Sequence, residues 1–348
     1  MATQTALALT TVGKPLTLIS LPGPESVELK GNEVLIKVSA VGLAPLDQKI
    51  RDLGYFNIGD KLPAVLGGDV VGIVVKTGSE VSFPVGALVF SQIQFHRPAG
   101  GGLQEYTVVN GLYTAIVPQG ISATEAALYP INAVTSALAL FSSDGFGFPF
   151  PGSAESANFD YASQKIVVIG GGSNTGKLAI QLARVAGVGT IVAVASPSNT
   201  AELKGYGATH VVARQDEDIR GQVRAIVGDD LLYVYDTVNF GDYSLAVSLL
   251  SDVNQGTVVH LLPGGNVSDA AAAQNKVAGV HDKPIAGFSH KIPEVGRLFW
   301  KEFPAWMARG EIKPIKYHVI EGLDADAVNA ALDEYKAGRG GDRYHVKL

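Results

Sequence analysis

Along the second half of the chain, short β-branched runs alternate with longer amphipathic or polar stretches. Lys165-Ile-Val-Val-Ile169 runs straight into glycines, and Leu178, Leu182 and Val185 then recur at i, i+4, i+7, which predicts one buried helix face. Further strands are predicted at Thr190–Ala195, His210–Ala213, Leu232–Asp236, Thr257–Leu262 and Ile285–Phe288. Strands separated by helix-length connections predict a doubly wound parallel α/β sheet. The first 125 residues read differently. Glu33–Ala40, Asp69–Val75 and Ala87–Phe90 are short alternating runs punctuated by Gly and Pro, the pattern of a compact antiparallel barrel. Leu140–Gln164 is rich in Pro, Gly and Ser and predicts a surface loop or linker. Its phenylalanines either line a substrate entrance or pack onto the domain. Helical periodicity resumes through Phe299, Trp300, Phe303 and Trp306, and Asp342–Leu348 predicts a closing strand returning to the barrel.

The glycine-rich turn carries candidate chemistry. Gly170, Gly171, Gly172, Ser173, Asn174, Thr175 and Gly176 link strand to helix, with Ser173 where a third Gly is commoner. Such a turn lets backbone approach a diphosphate, while the helix N-terminus offers free N–H groups and partial positive charge. The second strand ends Ala195-Ser196-Pro197-Ser198-Asn199, with no acid before Glu202. A carboxylate there would hold a ribose 2′-hydroxyl and repel a 2′-phosphate, so its absence predicts NADPH rather than NADH. Ser196, Ser198 and Asn199 supply donors, and Arg214, after the third strand, could add a charged contact. The same residues could equally form a polar turn capping the next helix.

Composition narrows the class. With 47% hydrophobic and 17% charged residues, net charge −6 and pI near 5.7, the chain offers no basic surface for nucleic acid or anionic membrane. Met1–Thr10 lacks the features of a signal peptide, and no apolar run reaches membrane-spanning length. Zero cysteines remove disulfides, thiolate catalysis and Cys-ligated metal, which fits a cytoplasmic protein. The histidines at 96, 210, 260, 281, 290, 318 and 345 show no metal-ligand spacing. His260, inside an apolar run, reads as a structural histidine.

Taken together, Glu33-Val-Leu-Ile-Lys-Val38, Leu66-Gly-Gly-Asp69-Val-Val-Gly72, Val85-Gly-Ala-Leu-Val-Phe90, Gly102-Leu-Gln-Glu-Tyr106 and Tyr206-Gly-Ala208 resemble the medium-chain dehydrogenase/reductase superfamily over essentially the whole chain. Pro45-Leu-Asp47-Gln-Lys49, the glycine turn and Asp236-Thr-Val238 look most like its zinc-independent fungal trans-acting enoyl reductases and quinone oxidoreductases. The resemblance implies a GroES-like antiparallel β-barrel catalytic domain (1–126 and 290–348) and a Rossmann NADPH-binding domain (127–289) with an insertion at 142–164. It places Ala44 at the zinc-ligand Cys position and Gly68-Asp69 at a His-Glu pair, which implies no metal; Asp69 then ties down backbone.

The resemblance also assigns roles. Lys49, with Asp47, is the implied catalytic pair, Lys49 donating to an enolate or fastening the cofactor; alternatively it is a surface lysine paired with Asp47 or Asp52. Pro45, Gln48, Thr135, Arg339 and Gly340 are implied cofactor contacts, the last two alternatively an ordinary surface turn; Val238, Leu261 and Leu262 end strands at the carboxyl edge of the sheet, where they either wall the nicotinamide or pack in the core. The implied substrate is an α,β-unsaturated carbonyl or a quinone, and the implied role is that of a polyketide synthase's partner or of a free-standing enzyme. A non-catalytic NADPH-binding role stays open, because fold does not dictate function. A monomer or a homodimer is expected, the latter through an edge strand near Thr257–Leu262.

Overall fold

The computed structural model describes residues 2–93, 100–262, 264–274, 276, 278–338 and 341–348, so Arg339 and Gly340 lie outside the described residues. In chain order the first elements are β1 (Thr3–Leu9), β2 (Thr17–Pro22), β3 (Glu33–Leu43), α1 (Pro45–Leu53), β4 (Ala64–Val65) and β5 (Asp69–Thr77). There follow β6 (Leu88–Gln92), β7 (Tyr106–Asn110), β8 (Thr114–Ile116), α2 (Ala123–Ala126) and α3 (Pro130–Phe141). The βα alternation then runs β9 (Lys165–Ile169), α4 (Asn174–Ala186), β10 (Thr190–Ala195), α5 (Thr200–Tyr206), β11 (His210–Ala213) and α6 (Ile219–Val227). It continues through β12 (Tyr233–Asp236), α7 (Ser244–Leu249), β13 (Gly256–Leu261), α8 (Ser268–Ala273) and β14 (Val280–Ile285). Last come α9 (Pro293–Ala308), β15 (Tyr317–Glu321), α10 (Ala325–Lys336) and β16 (Arg343–Lys347).

Two compact units emerge. One comprises Met1–Ile131, Phe303–Ala308 and Pro314–Leu348; the other comprises Asn132–Glu302 and Arg309–Lys313. The second unit is built on a parallel six-stranded sheet in the order β11-β10-β9-β12-β13-β14. Strand order reverses between β9 and β12, and the carboxyl ends of the strands at such a switch point are where ligands bind. Val167, Val192, Val234 and Val258 are fully buried at the middle of this sheet. Runs of this kind suit parallel strands covered on both faces.

One strand lies elsewhere than expected. The strand predicted at Ile285–Phe288 instead spans Val280–Ile285 and forms the sheet edge beyond β13. Its His281, Asp282, Lys283 and Pro284 carry no hydrophobic pattern, because an edge strand tolerates charge and proline where an interior one does not. Consequently β13 lies between β12 and β14, and the edge expected near Thr257–Leu262 is interior. The insertion's aromatics pack within this unit: Phe146 and Phe148 lie 5.0 and 4.9 Å from the Tyr233 ring, and Phe150 meets Phe141 edge-on at 5.2 Å. All four phenylalanines are buried, so they form a small core beside the start of β12.

The first unit carries two sheets, β2-β1-β4 and β15-β16-β3-β5-β6-β8, with β7 also on β3. Pairing is antiparallel except for β15 with β16. The predicted closing strand is β16, which pairs along the last residues of β3. Leu7, Ile36, Leu43, Ile50, Val70 and Val346 join strands and α1 in one apolar core. Burying each such side chain contributes about 1.5–3 kcal/mol.

Candidate functional site

The glycine turn leaves β9 at the switch point. Gly170 adopts φ +75°, and a Cβ there would stand 2.4 Å from Val238 Cγ1, so a side chain is excluded on both counts. A Cβ on Gly176 would meet the Gly170 carbonyl oxygen at 2.4 Å, which keeps α4 close against the turn. Ser173 caps α4: its Oγ accepts the Gly176 N–H at 2.9 Å and lies 2.9 Å from Thr237 Oγ1. Thr237 Oγ1 in turn donates to Ile169 O at 2.9 Å, so the ends of β9 and β12 are fastened together. As the first residues of α4, Asn174 and Thr175 have no intrahelical acceptor for their N–H groups. Thr175 Oγ1 donates to Asn132 Oδ1 (3.1 Å) and Ser136 Oγ to Thr175 O (3.0 Å), which ties α3 to this turn.

Polar groups gather where β10 ends. Ser196 Oγ and Ser198 Oγ are 2.8 Å apart, and the Asn199 amide sits over the turn: a Cβ on Gly172 would lie 2.2 Å from Asn199 Nδ2. Arg214 is exposed, and its backbone N–H donates to Ala195 O at 2.8 Å, which brings its side chain to this strand end. Glu202, the first acid after the strand, is already engaged. Lys177 reaches it at 2.9 Å and the Tyr206 hydroxyl at 3.1 Å. At the neighbouring strand ends Val238 (44%) and Leu262 (49%) are exposed, Leu261 is half-buried, and Asp236 shapes the turn by accepting the Val238 and Asn239 N–H groups. Thr135 is buried against Gly287, where a Cβ would collide with its hydroxyl. Phe240, a further exposed aromatic on the turn after β12, escaped the sequence reading because no periodicity marks a turn. The glycine cradle, the free helix N–H groups and the hydroxyl-rich strand end fit a phosphorylated dinucleotide.

In the first unit α1 carries the other predicted residues. Pro45 opens the helix, and Lys49 is partly buried on it; burial lowers the Lys49 pKa from its ordinary value. Asp47, expected to be catalytic, has a different task. Its Oδ2 accepts the Ala44 N–H (2.8 Å) and its Oδ1 the Gly67 N–H (2.9 Å), leaving it 2% exposed. Both oxygens are spent on backbone, so Asp47 caps α1 and holds the 66–68 turn. Burial raises its pKa against those two bonds. Gln48, expected at the cofactor, instead donates its amide to Asp52 at 2.8 Å; Asp52 also pairs with Arg51 and Lys336.

Comparison with known proteins gives the family. Residues 30–119 match the alcohol dehydrogenase GroES-like domain and residues 175–281 the zinc-binding dehydrogenase family. The dehydrogenase orsE of Emericella nidulans is 29% identical over 367 aligned positions, covering 100% of each chain. The trans-enoyl reductase tazE of Aspergillus terreus is 32% identical over 222 positions, 62% of this chain and 68% of that one. The chain belongs to the medium-chain dehydrogenase/reductase superfamily. The crystal structure of CurK enoyl reductase shares its fold, with a TM-score of 0.79 at 20% identity over 99% of both chains.

The zinc-ligand positions that the resemblance implies are Ala44 and Gly68-Asp69. A catalytic zinc needs three convergent N, S or O ligands. Ala44 and Gly68 offer none. Asp69 is fully buried; its Oδ1 accepts the Ile131 N–H at 2.6 Å and its Oδ2 accepts from Arg343. Burial raises its pKa to about 6, with Arg343 acting against that rise. Among the described residues no group of three or more His, Cys, Asp and Glu could hold a metal ion.

Proposed function

We propose that this superfamily member is an NADPH-dependent reductase of a carbon–carbon double bond conjugated to a carbonyl, working without zinc. The observation that carries the reading is the state of the ligand positions: two have no donor atom, and the third, Asp69, is committed to Arg343 and Ile131. Without a Lewis acid to polarise an alcohol, the open chemistry is addition to an already electrophilic carbon. Bound NADPH supplies the hydride. Gly170 to Gly176 would receive the diphosphate on backbone N–H groups, and Ser196, Ser198, Asn199 and Arg214 would hold the 2′-phosphate. The Lys177–Glu202 pair offsets the charge of the first carboxylate after β10. Val238, Leu261, Leu262 and Thr135 would bound the nicotinamide. Negative charge developing on the substrate's carbonyl oxygen would be met by a hydrogen bond from Lys49, and the α-carbon would take its proton from Lys49 or from water. The substrate is a small α,β-unsaturated carbonyl compound, free or carried by a polyketide synthase.

The test is a binding titration followed by NADPH oxidation with enones, enoyl thioesters and quinones. NADPH should bind at least about tenfold tighter than NADH, or roughly 1.4 kcal/mol, and enones or enoyl thioesters should be reduced. Equal affinities would overturn the cofactor assignment. Turnover with quinones alone would make the chain a quinone reductase, and binding without any turnover would make it a sensor or scaffold.

A further inference from the structure

We propose that Tyr243, His260 and Asp282 form a positioning relay that fixes the turns bearing Val238 and Leu262, and that turnover depends on it. The inference rests on the reading that these turns bound the nicotinamide. His260 and Tyr243 are each 1% exposed. The Tyr243 hydroxyl lies 2.9 Å from His260 Nδ1, and His260 Nε2 lies 2.8 Å from Asp282 Oδ1. The proton assignment that satisfies every atom has Tyr243 O–H donating to Nδ1 and Nε2–H donating to the carboxylate. Burial, with the negative charges of Asp236 and Asp282, raises the Tyr243 pKa, so the phenol keeps the proton it donates. The second carboxylate oxygen accepts the Val267 N–H at 3.2 Å.

The relay joins the segment after β12, the end of β13 and the middle of β14. Tyr243 follows the turn after β12, His260 stands two residues before Leu262 at the end of β13, and Asp282 lies on β14. Both turns close over it. A Cβ on Gly264 would stand 2.4 Å from the Tyr243 hydroxyl and 2.6 Å from His260 Nδ1, and one on Gly265 would stand 2.9 Å from Gly241 Cα. An apolar trio would fill this space, but only a fully paired polar chain specifies a single separation of the turns. Val238 and Leu262, exposed at the carboxyl edge, are the residues so held. The adenosine side is built on the glycine turn, whose Gly170 meets Val238, and on the end of β10, where Ser196, Ser198 and Asn199 stand.

The variants Tyr243→Phe and His260→Phe would be compared with the wild type in affinity for 2′,5′-ADP, affinity for NADPH and turnover at saturating NADPH. The 2′,5′-ADP fragment probes only the adenosine side. Its affinity should stay within about twofold, NADPH affinity should fall several-fold, and turnover should drop by roughly tenfold or more, as misplaced reacting groups require. Asp282→Asn, which can still accept from His260 but loses the Val267 bond, should retain more turnover than His260→Phe. Unchanged turnover in Tyr243→Phe, which keeps the ring and its packing, would overturn the relay. So would equal losses of 2′,5′-ADP and NADPH, the mark of general loosening. A wild-type protein that binds 2′,5′-ADP and NADPH but shows no variant effect refutes the relay alone; one that binds neither refutes the cofactor reading as well.

Discussion

Partial burial of Lys49 destabilises its ammonium form, so its pKa falls below the ordinary lysine value of 10.5. As pH rises, the proton is lost sooner than from an exposed lysine. A donor of this kind should give turnover an alkaline limb that begins below the ordinary lysine range. Lys49→Ala should lower turnover by roughly 100-fold, as loss of one oxyanion donor does, with NADPH affinity little changed. Lys49→Arg should keep affinity but lose the limb, because arginine stays charged. If instead NADPH binding weakens and turnover recovers at saturation, Lys49 anchors the cofactor. The Asp47-x-Lys49 spacing put the two side chains on one short helix, and α1 is there. What it could not convey is that the Gly67 N–H, twenty residues on, claims the Asp47 carboxylate. A contact fixed by tertiary folding leaves no local signal.

Elements were legible where their signals are local. The turn Gly170–Ser173 and helix α4 follow from glycines, an N-cap serine and an i, i+4, i+7 apolar face, all within one stretch of chain. Strand β14 was misplaced because its pattern answers to a sheet edge, a property of the whole unit. That edge carries Asp282, Lys283 and Pro284, and the proline has no N–H for a neighbouring chain. Two copies therefore have little to gain by pairing sheets there. Light scattering at micromolar concentration should give a monomer mass; a stable dimer would mean that another face joins the copies.

At the scale of the whole molecule, strand β16 holds the first unit together with polar groups that water does not reach. His345 is fully buried, stacks on Tyr317 at 4.7 Å and donates from Nδ1 to Thr124 O. Burial, reinforced by Arg343, depresses its pKa from 6.5 to about 3. The folded state therefore refuses a proton that the unfolded chain accepts, so this contribution is present above pH 6.5 and is lost as pH falls from 6.5 toward 3. Asp69, raised to about 6, acts the other way, favouring the folded state as pH falls through 6 toward 3.8. His345→Gln isolates the first effect. Its stability deficit against the wild type, measured by urea unfolding, should shrink by about 2 kcal/mol between pH 7.5 and pH 5. A constant deficit would mean that His345 titrates normally.

The pairing of β16 with β3 also sets an order of events during synthesis. Val346 sits opposite Val41, and Arg343 reaches Asp69, so these partners leave the ribosome far apart in time. The parallel sheet, whose strands run from Lys165 to Ile285, is complete before then. While it forms, the growing chain carries the last residues of β3 unpaired on one side and a buried-to-be carboxylate still in water. The stage most open to misassembly is thus a nascent chain with its cofactor half finished and its first half waiting for its last strand.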